Sequence, residues 1–213
     1  MKTTTEPSTM ELYPLWIRVW HWSNALCFLV LLATGISLHF AAPGSALIPF
    51  DTARMAHNIF GILMTVGWVV FVIGTLTSGN GVHYRPRLSG LVGRLMTQAL
   101  FYGVGIFRHA PHPFPATREA KFNPLQQVTY LGVMFGAVPV LILSGLAFFF
   151  HDLIPERFWD MDGLWIAGVV HYGIGLFLTV FLIGHLYLAT AGETVFGEFK
   201  KMISGSTLTE EKP

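Results

Sequence analysis

Cysteine and charge are both scarce in this chain. Of its 213 residues only one is cysteine, Cys27, and 12% are charged, whereas soluble domains carry about 25% charged residues. A single cysteine excludes an internal disulfide, a four-cysteine zinc site and an iron–sulfur cluster held by this chain alone. The 13 basic residues are nearly matched by 12 acidic ones, which excludes a strongly basic nucleic-acid-binding protein. The scarcity of charge points instead to an apolar environment.

Apolar residues make up 53% of the chain, and nine histidines accompany them. A helix needs about 20 mostly apolar residues to cross a bilayer, and four stretches meet this need, at about 15–40, 55–77, 127–150 and 164–190. None alternates with period two, which disfavours a membrane barrel. We therefore predict an all-α membrane protein, a four-helix transmembrane bundle that forms a single membrane domain over residues 1–213.

A fifth apolar stretch, residues 88–107, contains Arg94 near its middle and Gln98 one turn later. An arginine at the centre of a bilayer is costly. The polar positions Arg87, Arg94 and Gln98 suit a helix that lies in the interface and directs its apolar residues into the membrane. We expect an additional interfacial helix within the long connection 78–124.

Basic residues are distributed unevenly over the loops. With four spans and both termini on one side, eleven basic residues fall on that side and only Arg54 and Arg157 on the other. Basic loops stay in the cytoplasm, so both termini and the connection 78–124 are predicted to be cytoplasmic. The N-terminal segment lacks the layout of a signal peptide, so the first span is expected to remain in the protein. The eleven residues are Lys2, Arg18, Arg85, Arg87, Arg94, Arg108, Arg118, Lys121, Lys200, Lys201 and Lys212.

Four histidines lie inside the predicted spans, where ionisable side chains are costly and usually functional. His21 and His185 lie near the cytoplasmic ends of the first and fourth spans, and His57 and His171 near the outer ends of the second and fourth. The four therefore form an inner pair and an outer pair. His171 and His185 are 14 residues apart, which on a helix places them within about 40° of one face and about 21 Å apart along the axis.

Two histidines from different helices at each of two levels are what two six-coordinate haems require, because haem iron is commonly held by histidine. The chain has no Cys-x-x-Cys-His sequence, so the haem would be held without a covalent bond to cysteine. With both axial positions filled by protein, such haems carry electrons. The residues thus predict two haem b groups with bis-His iron, bound by His21 with His185 and by His57 with His171.

Other interpretations of these histidines stay open. A copper or zinc site would need further ligands, and no Cys, Asp or Glu lies beside them in the spans. A proton relay also uses membrane histidines, and packed histidines bonded to a neighbour are the simplest alternative. His39 and His151, at the very ends of spans, are weaker ligand candidates. Gly61 and Gly175, each one turn after an outer histidine, suit either the approach of a flat macrocycle or close helix packing.

Longer motifs around these histidines resemble a known family, the dihaem cytochrome b subunits of respiratory formate dehydrogenases, nickel–iron hydrogenases and thiosulfate reductases. The similarity covers about residues 13–205. The paired histidines with their spacing are specific, whereas any single motif is weak. The matching motifs are Arg18-Val-Trp-His-Trp, Arg54-Met-Ala-His, Lys121-Phe-Asn-Pro-Leu-Gln and His171-x13-His185-x-Tyr187.

The resemblance implies a cytochrome that anchors a periplasmic redox subunit, an iron–sulfur or multihaem protein. It also implies electron exchange with menaquinone or ubiquinone near the cytoplasmic haem. In the family, the asparagine of the Lys-aromatic-Asn motif helps to hold the quinone; that position is Asn123 here, and Gln126 matches the glutamine of the motif. Gln127 departs from the lysine often found next. Asn123 ahead of Pro124 is also an ordinary start for a helix.

Arg18 and Arg54 each lie three residues before a predicted ligand, on the same helix face. Either side chain suits a charge-assisted contact with a haem propionate or snorkelling to lipid headgroups. The acidic and aromatic outer segment 152–163 is a candidate platform for the periplasmic partner, although loops of this composition also simply lie in the membrane interface.

These features predict a multi-pass protein of the bacterial inner membrane, with quinone and lipid as partners and no nucleic acid. Electrons would pass between a periplasmic redox partner and the quinone pool through two stacked bis-His haems. One alternative is a stand-alone quinone-linked oxidoreductase that acts on a small periplasmic donor and needs no partner. Another is a non-haem membrane scaffold or transporter, which would lack b-type absorbance.

Overall fold

The computed structural model describes residues 9–11, 13–42, 46–115, 117, 120–190, 194–205 and 207–209. Four long apolar helical stretches in this part of the chain are candidate membrane spans, which confirms the predicted all-α class. They are α1 (Leu15–His39), α2 (Phe50–Thr77), a third span over Pro124–Phe149, and α6 (Gly163–Thr190). The third consists of α4 (Pro124–Gly132), a π-helical segment (Val133–Ala137) and α5 (Val138–Phe149).

The surfaces of these helices suit a bilayer. Only 6–17% of the residues in their most apolar windows are buried, so most apolar side chains point outward, where lipid would cover them. The second span begins earlier than the sequence indicated, at Phe50, because the helix includes Asp51 and Arg54 in its first two turns. Asp51 there complements the positive end of the helix dipole.

A π-helical segment, Val133–Ala137, interrupts the third span ahead of Pro139. Proline has no N–H to donate, and the N–H that follows the segment bonds back five residues to the carbonyl of Val133. The carbonyl of Met134 is thereby released, and the indole Nε1–H of Trp68 donates to it at 2.7 Å. The missing N–H of the proline thus leaves a carbonyl acceptor in the third span, and the hydrogen bond from Trp68 to this carbonyl joins the span to α2.

The interfacial stretch forms α3 (Leu91–Leu100), followed by a π-helical segment (Phe101–Gly105) and a 3₁₀ turn (Ile106–Arg108). The three pieces form one continuous helical stretch of 18 residues, Leu91–Arg108, which is not among the candidate spans of the described residues. The Arg94 guanidinium donates to the carbonyls of Ser89 and Arg87. This additional helix agrees with the sequence prediction.

The chain forms two compact units. The first comprises Met1–His21, Gly81–Val128 and His185–Pro213, and the second comprises Trp22–Asn80 and Thr129–Gly184. The single membrane domain over residues 1–213 stays a prediction.

In the first unit, strand β1 (Thr9–Glu11) pairs antiparallel with β4 (Thr207–Thr209), and α7 is the short helix Gly197–Ser204. The two ends of the described chain therefore lie side by side, which is compatible with an even number of spans. Their cytoplasmic location stays a prediction. Of the eleven basic residues on which that prediction depends, three lie outside the described residues: Lys2, Arg118 and Lys212.

In the second unit, the connection between α5 and α6 contains a small hairpin. Strand β2 (Arg157–Phe158) pairs antiparallel with β3 (Met161–Asp162). The two turn residues, Trp159 and Asp160, have φ of 49° and 61°. This left-handed pair is the backbone of a tight two-residue hairpin turn, and it leaves the Trp159 side chain 83% exposed.

Candidate functional site: two histidine pairs and a polar cluster

The structure brings the four membrane histidines together in two pairs. In the second unit the ring centres of His57 and His171 are 6.1 Å apart, with an interplanar angle of 68°. In the first unit those of His21 and His185 are 6.2 Å apart, at 51°. All four rings are half-buried. The pairs are those expected from depth and topology, while their role as ligands stays a prediction.

The separation within each pair fits one metal ion held between two imidazoles. A ring nitrogen lies about 2.0 Å from a metal it binds, and a ring centre lies about 1.15 Å behind that nitrogen. Two axial imidazoles on one iron would therefore have their centres about 6.3 Å apart, close to the 6.1 and 6.2 Å observed. Each ring can turn about its own metal–nitrogen bond, so the tilted ring planes are compatible with this arrangement.

The outer pair is oriented by a hydroxyl group from α1. The Thr34 hydroxyl donates to the carbonyl of Val30 at 2.7 Å, and its oxygen lies 2.9 Å from Nδ1 of His57. Because the hydroxyl proton is directed to the carbonyl, the oxygen accepts from Nδ1–H. This fixes the tautomer of His57 and leaves Nε2 with the lone pair that a metal needs.

His171 is held in the same way by α5. The Ser144 hydroxyl donates to the carbonyl of Val140 at 2.8 Å and lies 3.1 Å from Nδ1 of His171. The carbonyl of Leu141 lies 3.2 Å from the same nitrogen. Both neighbours are acceptors, so Nδ1 carries the proton and Nε2 is the free ligand atom. Sequence reasoning missed Thr34 and Ser144, because a hydroxyl residue in an apolar span does not by itself show that it bonds to a histidine of another helix.

Glycines lie against both outer histidines. A Cβ added at Gly35 would lie 3.5 Å from Cε1 of His57, and one at Gly145 would lie 3.1 Å from Cε1 of His171. These positions allow the neighbouring helix to approach the ring closely. A Cβ added at Gly61 or Gly175 meets no described atom within 4 Å. Neither of these two glycines is needed for helix contact, so their flat surfaces are free for a macrocycle to approach.

The weaker ligand candidates have other contacts. His39 stacks on Tyr172 with ring centres 4.3 Å apart and an interplanar angle of 13°. His151 lies 3.2 Å from a carboxylate oxygen of Asp152. Within the described residues no group of three or more His, Cys, Asp or Glu side chains is placed to hold a metal ion. Haem needs only two protein ligands, so one histidine pair would suffice to hold it.

The two arginines predicted near propionates have protein partners. Nη1 of Arg18 donates to the carbonyl of Ile203, at 2.7 Å, and so joins α1 to α7. Nη2 of Arg54 lies 3.6 Å from the Asp51 carboxylate in an exposed ion pair. Their contact with a haem propionate stays a prediction.

Asn123 and Gln126 form a reciprocal cap at the start of the third span. The side-chain oxygen of Asn123 accepts the N–H of Gln126 at 2.9 Å, and that of Gln126 accepts the N–H of Asn123 at 3.0 Å. Such a capping box satisfies two N–H groups that the first helical turn cannot bond. The side-chain oxygens of both predicted quinone residues are therefore used in starting the helix. Gln127 bonds instead to the carbonyl of His83, at 3.1 Å.

The amide nitrogen of Asn123 points to a neighbour that the sequence did not single out. Its Nδ2 donates to the hydroxyl of Tyr102 at 2.8 Å, and Asn123 is only 6% exposed. Burial raises the pKa of the Tyr102 phenol above its usual value, and the negative charge of Glu198 adds to the rise, whereas the nearby side-chain amides of Asn123 and Gln98 oppose it. Tyr102 therefore stays protonated at neutral pH. The π-helical backbone that carries it is a conformation frequent at functional sites.

Gln98 is not on the polar surface where the sequence placed it. Its side chain is fully buried, at 0% exposure. Although its amide lies near enough to Tyr102 to lower the pKa of the phenol, neither of its polar side-chain atoms forms a well-oriented hydrogen bond within the described residues. The sequence interpretation failed here because α3 turns its apolar side outward, as lipid contact requires, and its glutamine inward.

Comparison with known proteins agrees with these features. The family model described as "Prokaryotic cytochrome b561" matches residues 12–205. A "Putative cytochrome YdhU" of Escherichia coli is 40% identical over 95% of this chain and 76% of its own length. A "Probable Ni/Fe-hydrogenase B-type cytochrome subunit" of Cupriavidus necator is 26% identical over 89% of this chain and 83% of its own length. A "F420 non-reducing hydrogenase II cytochrome subunit" of Methanosarcina mazei is 31% identical over 78% and 63%, respectively.

Proposed function

The chain belongs to the prokaryotic cytochrome b561 family, and from this premise we propose that it carries electrons across the membrane through two haem b groups. The observation that supports two haems is the pair of separations, 6.1 Å for His57 with His171 and 6.2 Å for His21 with His185. Each matches the spacing of two imidazoles on one iron. A single haem would use only one of the two histidine pairs and would not explain why the other pair has the same separation.

Haem held by the two histidines of a pair would supply reversible one-electron transfer. The residues of the chain orient the histidines and surround them with apolar side chains. His57 and His171 present Nε2 because Thr34 and Ser144 hold their Nδ1–H groups. The apolar helices around them exclude water, which limits the reorganisation that accompanies a change of iron charge.

The inner end is proposed to exchange electrons with a quinone. Asn123, which the family resemblance assigns to the quinone, lies in the same unit as His21 and His185. Its buried amide keeps one N–H beyond the one given to Tyr102, and a quinone oxygen is an acceptor for such a donor. If electrons run inward, quinone reduction takes up protons on the predicted cytoplasmic side. If they run outward, quinol is oxidised for a periplasmic reductase.

The outer end is proposed to meet a periplasmic redox subunit. Two relatives are named as cytochrome subunits of hydrogenases, which supports a redox enzyme as partner. The hairpin that carries Trp159 is the feature best suited to such contact, since its turn is conformationally fixed and its indole is exposed. Large exposed aromatic side chains on a rigid element are common anchors of protein interfaces.

A haem assay on the purified membrane protein tests the central proposal. We expect a reduced-minus-oxidised spectrum of b type and two haems per chain by pyridine haemochrome. His39→Ala and His151→Ala are matched controls, because each removes a histidine near a span end, and both should retain two haems. Absence of b-type absorbance would reject the haem proposal, and one haem per chain would reject the two-haem arrangement.

A further inference from the structure

The interfacial helix α3 has two opposite faces. Val92, Met96 and Leu100 follow one another at intervals of four residues and are 77%, 58% and 59% exposed. On a helix they fall within an arc of about 80°. Gln98, two residues from Met96 and Leu100, points to the opposite side and is fully buried. A helix that exposes its apolar stripe and buries its amide is built to lie against lipid.

The buried amide of Gln98 calls for a partner. Carboxamide groups carry two N–H donors and a carbonyl acceptor, and a buried polar group left without a hydrogen bond is costly. Within the described residues its Nε2 and Oε1 have no hydrogen-bond partner, even though the phenol of Tyr102 is four residues further along the chain. A ligand with both acceptor and donor capacity would satisfy it.

Tyr102 and Asn123 supply the rest of a polar side-chain cluster. The Tyr102 oxygen accepts from Asn123 Nδ2 at 2.8 Å, so its own O–H is directed elsewhere. Asn123 Oδ1 is occupied by the N–H of Gln126, which leaves Nδ2 as its contact group. Beside the Gln98 amide, which has no hydrogen-bond partner within the described residues, the Asn123 amide keeps a second N–H and the Tyr102 hydroxyl keeps its own proton to donate.

We propose that Gln98 and Tyr102 are quinone-binding residues, with the Tyr102 hydroxyl and the Gln98 amide both bonded to the quinone head group beside Asn123. This inference rests on the proposed function and extends it to two residues outside the motif that carries Asn123. The head group would be a benzoquinone or naphthoquinone, whose ring oxygens accept hydrogen bonds as quinone and also donate them as quinol.

The position of α3 explains why a lipid-soluble ligand is favoured over a water-soluble one. Its stripe of Val92, Met96 and Leu100 is exposed and suited to lipid, and the buried Gln98 amide lies on the other side of the same helix. Phe101, whose ring centre is 5.8 Å from that of Tyr102, adds an aromatic surface next to the phenol. A molecule with an apolar tail and a small polar ring can leave its tail in the bilayer while its ring meets the polar cluster of Gln98, Tyr102 and Asn123.

Binding of a fluorescent quinone analogue tests this inference. The purified haem-loaded protein quenches the fluorescence of 2-heptyl-4-hydroxyquinoline N-oxide on binding, and a titration of this quenching gives a Kd. Haem reduction by duroquinol gives a second readout. Gln98→Leu and Tyr102→Phe should each weaken binding about three- to tenfold, the effect of one lost hydrogen bond. Tyr84→Phe, which removes another buried phenol hydroxyl from the first unit, is the matched control and should bind as the unaltered protein does.

A structural role for Gln98 predicts a different pattern. Leucine at position 98 removes an unsatisfied buried amide, so the thermal midpoint should not fall although binding weakens. If Gln98→Leu does not fold, Tyr102→Phe decides. Analogue binding unchanged in both variants but weakened in Asn123→Ser would overturn this inference and leave the proposed function intact. An unaltered protein that neither binds the analogue nor takes electrons from duroquinol would overturn the quinone reaction itself.

Discussion

The hydroxyl oxygen of Thr34 lies 2.9 Å from Nδ1 of His57. The threonine belongs to α1 and the histidine to α2, so one hydrogen bond both joins two helices and chooses the histidine tautomer. Such a bond makes the imidazole a stronger electron donor to a metal bound at Nε2. It therefore has a consequence that a redox titration can measure.

Thr34→Val should raise the midpoint potential of one haem only. Without an acceptor at Nδ1 the imidazole donates less electron density and stabilises the oxidised iron less. We expect a rise of about 20–60 mV, which corresponds to one hydrogen bond of about 0.5–1.5 kcal/mol. Ser144→Ala should shift the same haem less, because Nδ1 of His171 keeps the Leu141 carbonyl 3.2 Å away.

Thr65→Val is the matched control for that titration. The Thr65 hydroxyl bonds to the carbonyl of Gly61 on the same helix as His57, and among the described residues no histidine bond to it is found. The midpoint potentials of both haems in Thr65→Val should equal those of the unaltered protein. A shift of both haems by Thr34→Val, or an equal shift by Thr65→Val, would contradict the assignment of Thr34 to His57.

The histidine pairs predict which variants lose the same haem. His57→Ala and His171→Ala should each abolish one b-type signal, and His21→Ala and His185→Ala the other, because a six-coordinate iron needs both imidazoles of its pair. Low-temperature difference spectra or a potentiometric titration separates the two signals. Loss of one common signal in His57→Ala and His185→Ala would show that the pairs are wrongly assigned.

Two substitutions at Asn123 separate capping from quinone contact. Serine keeps a side-chain oxygen that caps the helix but has no amide to donate, whereas alanine loses both. Asn123→Ser should therefore slow quinol oxidation several-fold with thermal stability retained, and Asn123→Ala should also lower stability by about 1 kcal/mol. Both should keep two haems by pyridine haemochrome. Quinol turnover at the unaltered rate in both variants would remove Asn123 from the quinone site.

The exposed indole of Trp159 predicts a loss of partner binding. If the hairpin docks a redox subunit, Trp159→Ala should weaken that association about 30-fold, as expected for an aromatic anchor. The measurement is recovery of the partner subunit when the tagged cytochrome is purified from its native membrane, with haem content as the control for folding. Val92→Ala, which removes an exposed apolar side chain on α3, should leave recovery unchanged. Equal recovery with Trp159→Ala would exclude the hairpin as the anchor.

Alkaline pH should destabilise the protein through Tyr13. Burial, with a smaller contribution from Glu198, raises the pKa of Tyr13 from 10.0 to about 12. A raised pKa in the folded state gives stability that is complete below pH 10 and lost as the pH rises toward 12, since only the unfolded chain ionises in that window. The loss amounts to about 2–3 kcal/mol. Tyr13→Phe should unfold less steeply with pH between 10 and 12, and an unchanged slope would contradict the burial of this phenol.

Much of the fold follows from local features of the sequence. Four runs of about 20 apolar residues suffice for four spans, and the structure confirms them with start positions shifted by up to five residues. The shifts have local causes that apolarity does not show, since Asp51 sits in the first turn of α2 and Asn123 caps α4. Depth in the bilayer then sorted His21 with His185 and His57 with His171, because topology fixes which helix end faces which side.

Only tertiary structure decided what surrounds those histidines. Thr34 and Ser144 are separated from their histidines by 23 and 27 residues, and nothing in their local sequence distinguishes a hydroxyl bonded to a ligand from one bonded only to its own helix. Gln98 shows the same limit in reverse, since an amide in an amphipathic stretch indicates the polar face but not whether that face meets water or protein. The sequence determined the spans and the depth of each histidine, because these depend on local apolarity. The partners of the side chains depend on how helices pack, which only the folded chain decides.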